Sequence, residues 1–314
     1  MRLSWLAASL AASQVFAASV LAQDASFRAD VHLVTVGFSV RDGAGHLVPN
    51  LPLEDFEVFE DGVPQKIAFF AHSADVPLDL GLVVDFSGSQ AEFIKEHHKD
   101  LDTFLKKALS KQDRAFLVCF GNHIRLAQDF TGAHKDIIEA LHHFEKEGGG
   151  GLLEFAPGER RTAGTAFYDA IYYSIEKRLA ASENSRKALI IFSDGEDNSS
   201  GHHMLEAIES AQTNDVLLFP IRYTEDLKRG PIARNRYGTE VMARVAKETG
   251  GVDFDGRGKN LSISFAEIGE ELHSSYRLAY HSSNTQSDDT FRKVRIHMKE
   301  PGYTVRAKTG YYAK

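Results

Sequence analysis

The sequence predicts an α/β fold: a doubly wound, mainly parallel sheet inserted in a small antiparallel β-sandwich built from the two ends of the chain. Three observations predict it. From Leu80 to His273, strand-like apolar runs alternate with helical patterns, which calls for a mostly parallel sheet with helices on both faces. Two of these runs, Leu80–Asp85 and Ala188–Asp194, finish on an aspartate, at the strand end where such sheets hold ligands. On either side of the block, segments that alternate polar and apolar residues read as half-buried antiparallel strands.

Taken in order, Met1–Ala22 has one arginine, Arg2, then a small-residue and apolar run, with Val20-Leu21-Ala22 before Gln23. That is the pattern of a secretory signal peptide, and it predicts a secreted or periplasmic product. Ser9, Ser13, Gln14 and Ser19 make the run too polar for a comfortable span, and no later stretch approaches transmembrane length. The formal net charge is −8, and loss of Arg2 makes it more negative. An acidic chain without a long basic run is a poor ligand for nucleic acid or anionic membrane. A single cysteine, Cys119, excludes an intramolecular disulfide.

Residues 27–75 read as the first part of the sandwich. Val31–Val40 is rich in β-branched residues, and the Arg41–His46 turn predicts a hairpin. Asp55–Glu60 alternates at period two, and Gln65–Ala71 adds a further strand. The α/β block is expected over 76–274. Its strands are Leu80–Asp85, Ala115–Phe120, Ala188–Ser193, Val216–Tyr223 and Val252–Phe254. Its helices are Glu92–Leu109, His134–Glu145, Ala166–Leu179, His202–Thr213, Thr239–Thr249 and Leu261–His273. Residues 275–314 return to strands at Tyr276–Tyr280, Phe291–Lys299 and Tyr303–Tyr312.

The stretch Leu80–Gln90, LGLVVDFSGSQ, carries the chemistry. Asp85, Ser87 and Ser89 offer a carboxylate and two hydroxyls, with Gly88 letting the backbone turn. Oxygen-only donors suit a hard cation such as Mg²⁺. Taken alone, the same residues also describe an Asx or Ser turn that caps the next helix. Two later stretches shift the balance: Arg161–Ala170, RTAGTAFYDA, places Thr165 before a helix, and Ala188–Ser200, ALIIFSDGEDNSS, ends a strand at Asp194. In this order the three stretches resemble the metal-ion-dependent adhesion site (MIDAS) of von Willebrand factor type A (VWA) domains. The resemblance implies that Asp85, Ser87, Ser89, Thr165 and Asp194 form the metal site, on a solvent-facing rim. The stretches LEDFEVFEDGVPQKIAFF, KETGGVDF, YRLAYHS and KTGYYAK extend the likeness to the VWFA-related domain family of bacteria.

That resemblance implies a Mg²⁺ (or Mn²⁺ or Ca²⁺) site and a non-enzymatic, adhesion-type module. Its partner would be a protein with an exposed Asp or Glu that completes the ion's coordination. A metal-dependent phosphoesterase and a structural envelope module are the alternatives.

Other features weigh less. Gly148–Gly151 lacks the Gly-Lys-Ser/Thr of a phosphate loop and reads as a flexible loop. Gly148–Gly164, with Arg160-Arg161, is a candidate gate beside the metal face. The pairs His97-His98, His142-His143 and His202-His203 point about 100° apart on a helix and read as solvated faces. Glu139 and His143 share a face, but no third ligand is evident. Ser87 lacks a nucleophile elbow, and Asp85 lacks the second aspartate of an aspartyl-phosphate enzyme. Asp169 and Asp197 are extra acids nearby, and Asp197 reads as a cap of the following helix.

Overall fold

The computed structural model describes residues 33–72, 76–121, 123–149, 152, 155–156, 164–182, 186–224, 233–258 and 261–314. Met1–Ala22, read above as a signal peptide, and most of the Gly148–Gly164 loop, with Arg160-Arg161, lie outside these residues. The strands are β1 (Leu33–Arg41), β2 (Phe56–Glu60), β3 (Val63–Gln65), β4 (Ile67–His72), β5 (Leu78–Asp85), β6 (Arg114–Phe120) and β7 (Ile124–Thr131). They continue as β8 (Arg186–Ser193), β9 (Val216–Arg222), β10 (Phe254–Asp255), β11 (Tyr276–His281), β12 (Phe291–Met298), β13 (Thr304–Ala307) and β14 (Gly310–Tyr312). The helices are α1 (Ile94–Ala108), α2 (His134–Glu147), α3 (Phe167–Ser174), α4 (Met204–Thr213), α5 (Ala233–Thr249) and α6 (Leu261–His273).

A six-stranded sheet in the order β10-β9-β8-β5-β6-β7 forms the centre. All its pairings are parallel except that of β6 with the edge strand β7. The period-two pleat of β5 sends Leu80, Leu82 and Val84 to one core, with α1, α2 and α6, and Val83 to the other, with α3 and α5. Both faces are therefore covered, and every residue of β5 is buried. On α1, Ile94, Leu101, Phe104, Leu105 and Ala108 recur at helical spacing and make the stripe that meets the sheet.

From β5 the chain first builds outward through β6 and β7, then returns to place β8 on the other side of β5. The order reverses between β5 and β8, so a crevice opens at their carboxyl ends. Asp85 ends β5, and Asp194 directly follows β8.

The two chain ends form two four-stranded sheets, β13-β1-β11-β4 and β14-β12-β2-β3. Each mixes early and late strands: β1 pairs antiparallel with β11 and β13, and β12 with β2. Their shared core includes Val36, Phe38, Phe56 and Tyr276. The Phe38 ring stands edge-on to Phe56 at 5.1 Å and stacks on Tyr276 at 5.2 Å.

This sandwich joins the α/β block away from the crevice. Buried Glu271 on α6 accepts from Ser39 Oγ (2.7 Å), Arg41 (2.9 Å) and Arg306 (2.8 Å). Lys308 Nζ reaches Asp215 Oδ1 at 2.5 Å, immediately before β9 starts. Asp215 stands just before the first residue of β9, at the amino end of the sheet, so this junction is at the opposite end from the carboxyl-end crevice.

Several elements differ from the sequence expectation. The Arg41–His46 turn closes only an isolated bridge, Arg41 to Leu47, because Pro49, Asn50 at φ 70° and Pro52 end strand pairing. Gln65–Ala71 divides between β3 and β4, and Tyr303–Tyr312 between β13 and β14, each pair split across the two sheets. The helix after Thr165 is buried almost all round and is shorter than Ala166–Leu179, because it passes into a π-helical turn at Ile175–Leu179. α5 starts at Ala233, ahead of Thr239.

Candidate metal centre

The crevice is built from three loops. Asp85 is fully buried; its Oδ1 accepts the Ser87 N–H at 2.8 Å and its Oδ2 the Ser193 hydroxyl at 2.6 Å. The first bond closes an Asx turn that aims Ser87 and Ser89 back over the strand ends. Ser87 stands at the start of the 3-10 turn Gly88–Phe93, yet its side chain makes no capping bond. Its Oγ instead lies 3.2 Å from Ser89 Oγ, which donates to Asp194 Oδ2 at 2.6 Å. The helix-capping reading of these serines therefore fails; the hydroxyls face one another and Asp194.

Asp194 is held from below. Its Oδ1 accepts the Glu196 N–H at 3.1 Å, and the turn passes through Gly195 at φ 78°, a left-handed conformation that favours glycine. Gly238 on α5 packs so closely that a Cβ there would sit 2.1 Å from the Asp194 carbonyl oxygen. Asp85 and Asp194 are close enough to interact. Burial first, and the Asp194 charge second, push the Asp85 carboxyl up to about 7.

Thr165 enters from the third loop. Its N–H donates to Asn198 Oδ1 at 2.7 Å, and its carbonyl accepts from Asn198 and Ser199, both at 3.1 Å. Ala166 N–H bonds to the Gly121 carbonyl at 3.0 Å, and Gly121 lies against the Phe86–Ser87 peptide. So the Thr165 loop is tied both to the segment after Asp194 and to the neighbour of Ser87. The expected solvent-facing rim is instead largely buried: Asp85 is 0 % exposed, Thr165 4 %, Asp194 5 % and Ser87 8 %, with Ser89 half-buried. Packing of Gly238 beneath and the Asn198 loop beside it removes these groups from bulk water.

The donor set fits a hard cation. Among the described residues neither Asp85 nor Asp194 has a cationic partner, although buried carboxylates normally have one. Hydroxyls and carboxylates without nitrogen or sulfur suit Mg²⁺ or Ca²⁺ over zinc.

A profile of the von Willebrand factor type A domain matches residues 79–252, more than half the chain. The chain belongs to the VWA family. VWA domains are typically protein-interaction modules and are generally non-enzymatic. None of the curated proteins matches the chain. Among solved structures it is similar to an aerotolerance-related membrane protein from Bacteroides fragilis: 13% identity, TM-score 0.47, covering 62% of this chain and 98% of that one. It is similar also to BatB from Bacteroides thetaiotaomicron (15%, TM-score 0.44, 62% and 97%). A third is a mutant of the PilB minor pilin from Streptococcus sanguinis (12%, TM-score 0.46, 64% and 62%). Likenesses this distant add nothing to the family assignment.

Within the VWA domain, other polar residues differ from their sequence reading. Asp197 does not cap the following helix: α4 has its own capping box, formed by His203 and Glu206. Asp197 Oδ1 instead accepts the Tyr168 N–H at 3.3 Å, in the first turn of α3, and the Ser200 hydroxyl. Asp169 holds the same loop, accepting from Gly201 and His202 N–H, both at 2.9 Å. The histidine pairs are not all solvated faces. His97 is fully buried beneath Tyr223, at 4.5 Å between ring centroids. Its neighbour His98 points to α2, where His142 and Glu145 meet it. The 100° turn between neighbours sends one ring to the sheet and the other to the next helix.

Beside the crevice lies a hollow of ≈ 420 Å³ lined by Phe86, Phe120, Phe144, Glu145 and Gly149. It flanks Phe86, between the proposed ligands Asp85 and Ser87.

Proposed function

We propose that this chain is an exported protein-binding module that captures a partner carboxylate through a divalent cation held by Asp85, Ser87, Ser89, Thr165 and Asp194. The observation that carries the reading is the convergence of two carboxylates and the Ser87–Ser89 hydroxyl pair at one sheet switch point, without a cationic side chain among the described residues to balance them. Ser87, Ser89 and Thr165 would contact Mg²⁺ through hydroxyls, and Asp85 and Asp194 partly through water. When bound, Mg²⁺ supplies an open position that a partner's Asp or Glu completes, since neutral hydroxyl ligands leave it under-neutralised. The chain's own residues do the positioning. Asp85 fixes the Ser87 turn, Asn198 fixes Thr165, and Gly238 fixes the height of Asp194. Mn²⁺ or Ca²⁺ could take the same oxygens. Export rests on the N-terminal pattern of Met1–Ala22.

Capture from an envelope extract, run with Mg²⁺ and again with EDTA, tests the reading. The expected result is a partner retained with Mg²⁺, lost with EDTA, and lost with Thr165→Ala in either buffer. Retention unchanged by EDTA would leave the cation without a role in binding.

A further inference from the structure

We propose that α1 and α2 carry a second, separate cation site, a nitrogen-rich centre for Zn²⁺ or a similar borderline divalent ion, formed by His98, His142 and Glu145. His98 Nε2 lies 3.0 Å from Glu145 Oε2, and His142 Nδ1 lies 3.8 Å from the same oxygen. The two imidazoles stack at 4.1 Å between centroids, tilted by 21°. One ligand atom from each residue lies within 4.8 Å of the others. Bonds of about 2.0–2.1 Å from a tetrahedral zinc ion set ligand–ligand edges of about 3.3 Å. The observed 3.0 and 3.8 Å separations bracket that value on the two edges that meet at Glu145. Because the stacked rings cannot both aim a lone pair at one ion, ligation requires the exposed His142 ring to turn out of the stack.

The scaffold is suited to it. His142 and Glu145 stand three residues apart and so share one face of α2. His98 arrives from α1, its side chain 11 % exposed and fixed between the two helices. His142 and Glu145 are more open, with side chains 54 % and 41 % exposed, and Glu145 also borders the hollow of ≈ 420 Å³ beside Phe86. A cation therefore has a path from solvent.

Ligand chemistry separates the two sites. Imidazole nitrogens select zinc-like ions, while an all-oxygen set at Asp85 and Asp194 suits Mg²⁺. Three protein ligands with one position open match the coordination of exchangeable rather than fully enclosed zinc.

Isothermal titration of the full chain with ZnCl₂, in a large excess of MgCl₂, tests the proposal. One Zn²⁺ should bind per chain despite the Mg²⁺. His142→Ala, a substitution at an exposed position, should weaken binding by at least about 10-fold, since even groups supporting a ligand cost that much. His98→Ala should do the same, with circular dichroism reporting that the helices persist. His143→Ala, on the neighbouring exposed face, and Asp85→Asn should leave zinc affinity unchanged. No binding to the wild-type chain, equal binding by His142→Ala, or an equal loss in His143→Ala would overturn the assignment.

Discussion

At the scale of single residues, burial decides what each polar group does. Cys119 sits inside β6, paired in register with Val84, and is fully buried. Burial pushes its thiol well above the ordinary range, so the nucleophilic thiolate is suppressed. A thiol reagent at pH 8 should therefore react with the native chain only as fast as it unfolds, and at once in denaturant. Rapid native labelling would place Cys119 elsewhere. Asp197 shows a limit of sequence reading: its position before a helix suggests one cap, while its carboxylate serves the first turn of another. Asp197→Ala should cost about 1 kcal/mol, the worth of a cap, in urea denaturation. It should leave Mg²⁺ affinity in place. A loss of Mg²⁺ binding with stability retained would make Asp197 a ligand instead.

Elements come next, and the strands and helices that position the crevice were legible because their patterns are long and regular. β5 is an unbroken apolar run, and α1 repeats at helical spacing. β7 was missed. Its Ile-Arg-Leu-Ala-Gln-Asp-Phe-Thr alternates poorly, and its pairing with β6 shifts register near Gln128, which breaks the period of two. The three crevice stretches could be read because each is a short contiguous motif at a strand end or helix start. The His98, His142 and Glu145 group could not, since only the packing of α1 on α2 brings it together. Nor does sequence expose the support under Asp194. Gly238→Ala should force α5 and the Asp194 turn apart, at a cost of about 1–3 kcal/mol for overpacking. It should also weaken Mg²⁺ binding, although residue 238 touches no cation. Thermal unfolding and calorimetry unchanged from wild type would show that the contact is slack.

At the scale of the whole molecule, the described residues set the crevice of Asp85 and Asp194 at one end of the central sheet and the sandwich at the other. We propose that 76–274 and the combined 27–75 with 275–314 are its two folding units. β1 depends on β11 and β13, and β2 on β12, so a 27–73 fragment loses the strands that complete its sheets. It should give a collapsed NMR spectrum, whereas 76–274 should fold; a well-dispersed spectrum from 27–73 would contradict this division. Glu271→Ala removes the shared acceptor of Arg41 and Arg306. It should cost about 3 kcal/mol, as for a broken buried ion pair. The account as a whole turns on a cation among oxygen ligands, and calorimetry with Mg²⁺ and Mn²⁺ reaches that claim most directly. Asp85→Asn is the variant of choice, because it keeps the shape and an acceptor for Ser193 in a fully buried position while removing the charge. The account predicts one Mg²⁺ bound by the wild-type chain, with thermal stabilisation that grows with ion concentration. It predicts binding abolished in Asp85→Asn and Thr165→Ala. Equal affinity in wild type and Asp85→Asn would contradict it.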